Sequence, residues 1–326
     1  MTLPVLGRLR RGVTFVEHPA RTLINPPEST GMPFWSVNPY IGCEFGCTYC
    51  YARFTHGYAI ERARGAARLP PDVDAQFERL ILVKRREDLL AALDRDLARV
   101  RRQLTESRQA LSIGTATDPY QPAERRFRLT RAILERLGSE RGLHLSIVTK
   151  STLVRRDAQL LAGLTGKHQV AVHISLISAS ARMVRRFERR SPVPGARLRT
   201  LTALGEAGVP SGLICAPVLP GITDQLAALR RLLRAVKDAG GRFAFGIPLR
   251  LPPGARDPFL PVVAEHYPTL LPRYLAAYAR SASAPARYSR WLSQRFHAVA
   301  SEVGLATQAF SDRTPSPYSE QLGLWS

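Results

Sequence analysis

A parallel α/β barrel or an open wound sheet is the fold class predicted for this 326-residue chain. Three observations predict it: short apolar runs of strand length, helical periodicities between them, and turn residues at the joins. The runs lie at Ser36–Ile41, Ala110–Thr115, His144–Thr149, Val170–Leu176, Gly212–Val218 and Arg242–Pro248. Such runs suit parallel strands covered on both faces.

Between the runs, apolar residues recur at helical spacing. Leu89, Leu90, Leu93, Leu97 and Val100 mark one face, and Leu129, Ile133, Leu134 and Leu137 mark the next. Leu198, Leu201 and Leu204 follow, then Leu226, Leu229, Leu232, Leu233 and Val236. Gly138, Gly142, Gly205, Gly208 with Pro210, and Gly240–Gly241 supply the turns. Residues 1–35, rich in Pro and Arg, read as an extended N-terminal arm packed along the barrel. Residues 36–250 form the barrel, and a Pro/Gly-rich break after Pro248 leads into a C-terminal helical extension over 251–310. Its helices are expected at Leu270–Tyr278 and Ala286–Val303. Residues 311–326 read as a flexible tail.

Composition narrows the function. Apolar residues make up 45% of the chain and charged residues 22%, the balance of a soluble globular protein. No stretch approaches the roughly 18 consecutive apolar residues that a membrane span needs, and the start has no signal-peptide core. Of the four cysteines, Cys43, Cys47 and Cys50 crowd one short segment, which points to a metal site in a reducing cytoplasm. Forty-seven basic residues against 26 acidic ones leave a net charge of +21, which favours a polyanion, nucleic acid first. Only Lys84, Lys150, Lys167 and Lys237 are lysines, so GC-rich coding explains the arginine preference but not the shortage of acids.

The segment Asn38–Arg53 carries the chemistry. Its cysteines are spaced C-x3-C-x2-C on a loop with Gly42 and Gly46, so three thiolates can ligate three irons of a cubane cluster. One iron is then left open for a small ligand. The bland alternative is a zinc site in which His56 completes a Cys3His tetrahedron.

The triplet, with Tyr49 just before its last cysteine, resembles the signature of the radical SAM (S-adenosylmethionine) superfamily. The wider segment is similar to the branch containing spore photoproduct lyase and DNA-repair-photolyase-like proteins, in an actinobacterial-type form. Gly114–Glu124, Val148–Ser151, His173–Leu176, Phe187–Pro192 and Gly212–Asp224 extend the likeness over roughly residues 15–250. The resemblance implies a partial (β/α)6 TIM-like barrel, with a 4Fe–4S cluster on Cys43, Cys47 and Cys50 and SAM at the C-terminal strand ends. It implies reductive cleavage of SAM to a 5′-deoxyadenosyl radical that abstracts hydrogen from a substrate, damaged or modified nucleic acid before others. Modification of RNA, protein or a metabolite, and a non-catalytic iron–sulfur or zinc nucleic-acid-binding protein, are the alternatives. A reducing partner such as flavodoxin or ferredoxin is also implied.

SAM offers an amine, a carboxylate, a ribose and an adenine. Thr117 and Asp118 take the position where the superfamily usually carries a glycine-rich contact to the amine. Lys150 is placed to meet the carboxylate, Ser175 the ribose or carboxylate, and Tyr49 the adenine. Glu188 and Pro217 match segments flanking the cofactor. Spore photoproduct lyase has a hydrogen-donating cysteine after its second strand, and Gly114–Asp118 holds none. Thymine-dimer lysis is therefore in doubt, and Cys215 or Tyr120 are the candidate catalytic replacements, although Cys215 reads as a small core hydrophobe. His173 reads as a core histidine. Arg182, Arg185, Arg186, Arg189 and Arg190 can grip phosphates or form a solvated helix face. Gln321, Leu322, Leu324 and Trp325 are similar to a bacterial sliding-clamp-binding peptide, with capping of the barrel as the alternative.

Overall fold

In the computed structural model, which describes residues 2–66 and 68–310, the strand–helix alternation winds into one large sheet. The strands are β1 Val5–Arg8, β2 Thr14–His18, β3 Ile24–Asn25, β4 Trp35–Val37, β5 Tyr40–Ile41 and β6 Leu80–Lys84, followed by β7 Ala110–Ile113, β8 His144–Thr149, β9 Gln169–Ser175, β10 Ser211–Val218 and β11 Ala244–Pro248. The large sheet runs β11-β10-β9-β8-β7-β4-β3. From β4 to β11 the neighbours are parallel and in chain order, while β3 closes the edge antiparallel to β4. Six parallel strands in this order, linked by helices, make the expected partial barrel.

The crossover helices are Arg86–Ser107, Leu129–Leu137, Ala158–Thr165, Pro194–Glu206 and Leu226–Asp238. Four of them carry the apolar stripes visible in the sequence, with Leu93, Ile133, Leu201 and Leu233 buried against the strands, while Ala158–Thr165 was not marked there. Inside the curl, Phe34, Ala110, Ala171, Ile214, Phe243 and Phe245 form a second apolar core, with Phe310 beneath it. The C-terminal helix Ala286–Glu302 lies on β11, where Gly246 leaves room for the Phe296 ring.

Two features of the first hundred residues differ from expectation. The run Ser36–Ile41 is not one strand. Pro39 has no N–H to continue a ladder, and the chain leaves the large sheet after Val37. Tyr40–Ile41 instead pairs with β6. The N-terminal arm is likewise not merely extended: β1 and β2 join β6 and β5 in a four-stranded sheet ordered β1-β2-β6-β5. β6, missed in the sequence, is an apolar run of the same kind as the six assigned as strands, but it precedes the first crossover helix and pairs outside the large sheet. Beyond Pro248 the extension also holds a helix at Arg256–His266. Among the described residues, no helix is long and apolar enough to cross a membrane. The clamp-like residues Gln321, Leu322, Leu324 and Trp325 lie outside the described residues.

The join between β10 and β11 depends on Gly212. A Cβ there would sit 2.2 Å from the Phe243 carbonyl oxygen and 2.5 Å from its ring. Gly212→Ala is therefore expected to lower unfolding stability by about 1–3 kcal/mol, the range for overpacking. Urea unfolding of the metal-free protein, wild type beside variant, measures it, and an unchanged midpoint would contradict the packing described.

Candidate active site

The cysteine loop is held by backbone and side chains rather than by regular structure. After β5 the chain turns at Gly42, whose φ of +88° suits glycine. A Cβ there would meet the Leu80 carbonyl oxygen at 2.4 Å. Cys43 N–H then donates to the Phe77 carbonyl at 3.1 Å, and Thr48 N–H to the Phe187 carbonyl at 2.9 Å. Helix Ala52–Gly65 follows the third cysteine. All three cysteines line one cavity at the C-terminal strand ends, together with Tyr49, Thr117, Asp118, Lys150, Ser175 and Pro217.

Burial pushes all three thiols up, Cys47 to about 12 despite the pull of Lys150. Metal binding must therefore displace thiol protons. The donor set fits an iron–sulfur cluster: three soft sulfurs facing one space, with polar groups beyond for a fourth-iron ligand. It does not fit the Cys3His zinc alternative. His56 Nε2 is 3.1 Å from the Leu80 carbonyl oxygen, and its ring packs edge-on against Phe77. Among the described residues, no three His, Cys, Asp or Glu side chains are grouped to hold a single ion.

Around this centre the polar residues fall into two layers. Lys150 faces the cavity, with Nζ donating to Ser175 Oγ at 3.0 Å and lying 5.7 Å from the Tyr49 ring centroid. Burial lowers its pKa, but the charges at Cys47 and Glu188 outweigh burial and leave it raised. Asp118 accepts from Thr149 Oγ1 at 2.6 Å, Lys150 N–H at 2.7 Å and Tyr120 N–H at 2.9 Å, so it binds the ends of β7 and β8 together. Thr117 Oγ1 donates to the Gly42 carbonyl at 2.6 Å.

The second layer holds residues the sequence did not single out. Gln121 Nε2 donates to the same Gly42 carbonyl at 3.1 Å, and its Oε1 accepts Glu44 N–H at 3.0 Å. Arg197 is fully buried and pairs with Glu188. Gln121 lies within the quoted Gly114–Glu124 segment. Arg197 had no sequence signal, since nothing marks one arginine among so many as buried.

Several expected residues face elsewhere. Glu188 sits behind the cavity wall, accepting from the Tyr49 hydroxyl, from Arg197 and from Ser191 Oγ. Burial alone would raise its carboxyl, yet Arg197 and Lys150 outweigh burial and lower it. Cys215 does not line the cavity: alternation along β10 sets Ile214 and Ala216 on the cavity side and the Cys215 sulfur on the other, and Pro217 reaches the cavity where the register shifts between Cys215 and Val218. Burial pushes its thiol up to about 12. Tyr120 is fully buried but opens toward a groove outside the cavity. His173 packs between Phe243 and Phe245, and burial lowers it to about 3, so it is a neutral core imidazole. Arg186 binds the Tyr267 hydroxyl, and Arg185 caps the Arg189 and Ser191 carbonyls.

The chain matches the model of the radical SAM superfamily over residues 37–233. It is 34% identical over 317 residues to an uncharacterized protein of Mycobacterium tuberculosis (strain ATCC 25618 / H37Rv), covering 96% of this chain and 86% of the relative. An uncharacterized protein of Methanocaldococcus jannaschii is 27% identical over 212 residues, 65% of this chain and 70% of that one. Among solved structures, a spore photoproduct lyase mutant superposes with a TM-score of 0.65 at 16% identity, covering 91% of this chain and 82% of the other. Spore photoproduct lyase complexed with dinucleoside spore photoproduct gives 0.62 at 16% identity, covering 90% and 81%. The fold is thus that of spore photoproduct lyase. With its cysteine triplet inside the matched region, this chain belongs to the radical SAM superfamily, whose enzymes work with a 4Fe–4S cluster and S-adenosylmethionine.

Proposed function

We propose that this enzyme acts on damaged or modified nucleic acid in the cytoplasm. One observation supports the reading above others: the three cysteines and the Lys150–Ser175 pair share a cavity whose far wall is apolar. Met32, Phe34, Ile214, Ile247 and Leu249 form that wall, a surface suited to the faces of nucleobases. When bound, the cluster supplies an electron that cleaves S-adenosylmethionine to methionine and a 5′-deoxyadenosyl radical, which takes hydrogen from the substrate.

In this reading Cys43, Cys47 and Cys50 bind the cluster as thiolates. Lys150 holds the S-adenosylmethionine carboxylate, its ammonium steered by Ser175. Thr117 and Asp118 bound the amine side, and Ser175 reaches the ribose or carboxylate. Tyr49, pinned through its hydroxyl to Glu188, presents a fixed ring toward the adenine. Pro217 closes the adjoining wall. The apolar lining excludes water from the reacting space, which protects a carbon radical from side reactions. The dinucleoside bound by the structurally similar lyase is the size of substrate the proposal favours. No cysteine faces this cavity apart from the triplet among the described residues, so the substrate radical has no thiol donor there.

Three measurements test the proposal. Anaerobic protein reconstituted with iron and sulfide, reduced by dithionite and given S-adenosylmethionine, is expected to release 5′-deoxyadenosine, while Cys47→Ala releases none. Zinc instead of iron in protein isolated anaerobically would overturn the assignment. Lys150→Met removes a buried charge-assisted bond of about 1.5–3 kcal/mol, so S-adenosylmethionine affinity should fall by about 10- to 100-fold. Calorimetry on the cluster-loaded protein reads it, and an unchanged affinity would remove Lys150 from the site. Affinity for oligodeoxynucleotides should fall steeply and log-linearly with salt, and a flat response would count against a nucleic-acid substrate.

A further inference from the structure

Behind the cysteine loop, on the side away from the reacting cavity, runs a groove lined by exposed arginines. Arg125, Arg185, Arg189 and Arg190 line one part of it with no carboxylate among them. Arg125 and Thr152 continue it into a second part with Arg155 and Arg156, where Glu206 is the one lining acid. Many arginines elsewhere are paired: Arg136 with Asp94 and Glu140, Arg230 with Glu302. Among the described residues, no acceptor takes the guanidinium of Arg125, Arg155 or Arg189. Arg156 is neutralised by Glu124 and Asp157, so the positive surface of the groove rests on Arg125, Arg155 and Arg189.

Its position separates it from the substrate path. Phe45, between Cys43 and Cys47, is buried and lines both the groove and the cavity. A molecule in the groove is thus one residue away from two of the cysteines, yet the Phe45 ring and the loop bar it from the cavity. A polynucleotide lying there cannot deliver a base to the reacting space. An electron can cross such a wall, whereas a substrate cannot.

We infer that this arginine groove is the docking surface for an acidic one-electron carrier protein that reduces the cluster. The inference rests on the proposal that Cys43, Cys47 and Cys50 hold that cluster. In the transfer, an anionic flavin hydroquinone becomes a neutral semiquinone and the cluster passes from the 2+ to the 1+ state; no bond forms or breaks. Complementary charge steers the encounter and orients the carrier's rim toward Phe45.

The probe is flavodoxin hydroquinone, mixed anaerobically with cluster-loaded protein while bleaching of the cluster absorbance is followed. The variant is Arg125→Glu/Arg189→Glu, and Arg287→Glu/Arg290→Glu on the C-terminal helix carries the same charge change as a control. The groove variant should be reduced by flavodoxin at least about tenfold more slowly at low salt, the gap closing as salt rises. Its calorimetric affinity for flavodoxin should fall in parallel, while reduction by dithionite stays within about twofold and the control matches wild type. Equal slowing in both double variants, or none in either, overturns the inference, as does failure of flavodoxin to reduce the wild type. Loss of oligodeoxynucleotide affinity in the groove variant alone, with flavodoxin unaffected, also overturns it and gives the groove to nucleic acid. Dithionite-driven release of 5′-deoxyadenosine in the same preparations tests the underlying proposal separately.

Discussion

The site depends on one buried ion pair. Glu188 and Arg197 are both fully shielded from water, and neither is tolerable alone; removing one partner of such a pair costs about 3–5 kcal/mol. Their remaining hydrogen-bonding capacity ties together parts of the chain that share no secondary structure. Glu188 takes the hydroxyl of Tyr49 from the cysteine loop, and Ser191 Oγ donates to it at 2.7 Å. Arg197 donates to the Ser175 carbonyl at 2.7 Å and to the Pro192 carbonyl at 2.8 Å. Ser175 is in turn the partner of Lys150. Through one pair, the loop that carries the cysteines and the strand end that carries the cationic pocket are held in register.

The opposite flank of the loop is secured by a separate network with the same logic. The Gly42 carbonyl receives both Thr117 and Gln121, and Gln121 also takes the Glu44 amide. Just below, Tyr40 donates to Glu124 at 2.5 Å, and Glu124 accepts Thr130 N–H at 3.0 Å and Arg156 at 2.9 Å. Each flank shares residues with the proposed cofactor pocket, Tyr49 and Ser175 on one and Thr117 on the other, but neither ties up a thiol. Preorganisation of this kind leaves the thiols and Lys150 free to serve the cofactors while fixing where they point. Asp118 is the most heavily engaged of the shared residues, because it lines the cavity and braces β7 to β8 at once. A carboxylate with three internal donors has less capacity left for an amine than the sequence alone suggested.

What was legible in the sequence follows from range. The six parallel strands and four of their five crossover helices are local patterns, and their apolar runs read correctly to within a few residues. The cysteine triplet was legible because its spacing is itself the chemistry. Tertiary placement was not. The break at Pro39 looked like an interruption inside one strand, yet it sends two neighbouring segments into different sheets. Cys215 read chiefly as a small core hydrophobe and Ser175 as a cofactor contact, and the register of β9 with β10, which sets Ser175 beside Ile214, agrees with Cys215 facing away. Arg197 could not be distinguished from its solvated counterparts, because burial of a charge is decided by a partner far along the chain.

The same limit applies to the net charge of +21, which taken as a total points only to polyanions. The structure divides it. Some arginines are internal fasteners: Arg197 on Glu188, Arg156 on Glu124 and Asp157, Arg53 on Glu78 and the Cys47 carbonyl. Those fasteners are neutralised where they stand and attract nothing from outside. Part of the free charge, on Arg125, Arg155 and Arg189, lies in a groove separated from the reacting cavity by Phe45, whereas the cavity is mostly apolar, with Lys150, Arg250 and Asp118 as its charged lining residues. A charged cofactor and an apolar substrate face are thus received inside, and long-range attraction operates outside. An excess of arginine is therefore weak grounds for naming a substrate, because some of it is taken up by internal pairs and some of the rest lies where a substrate cannot react.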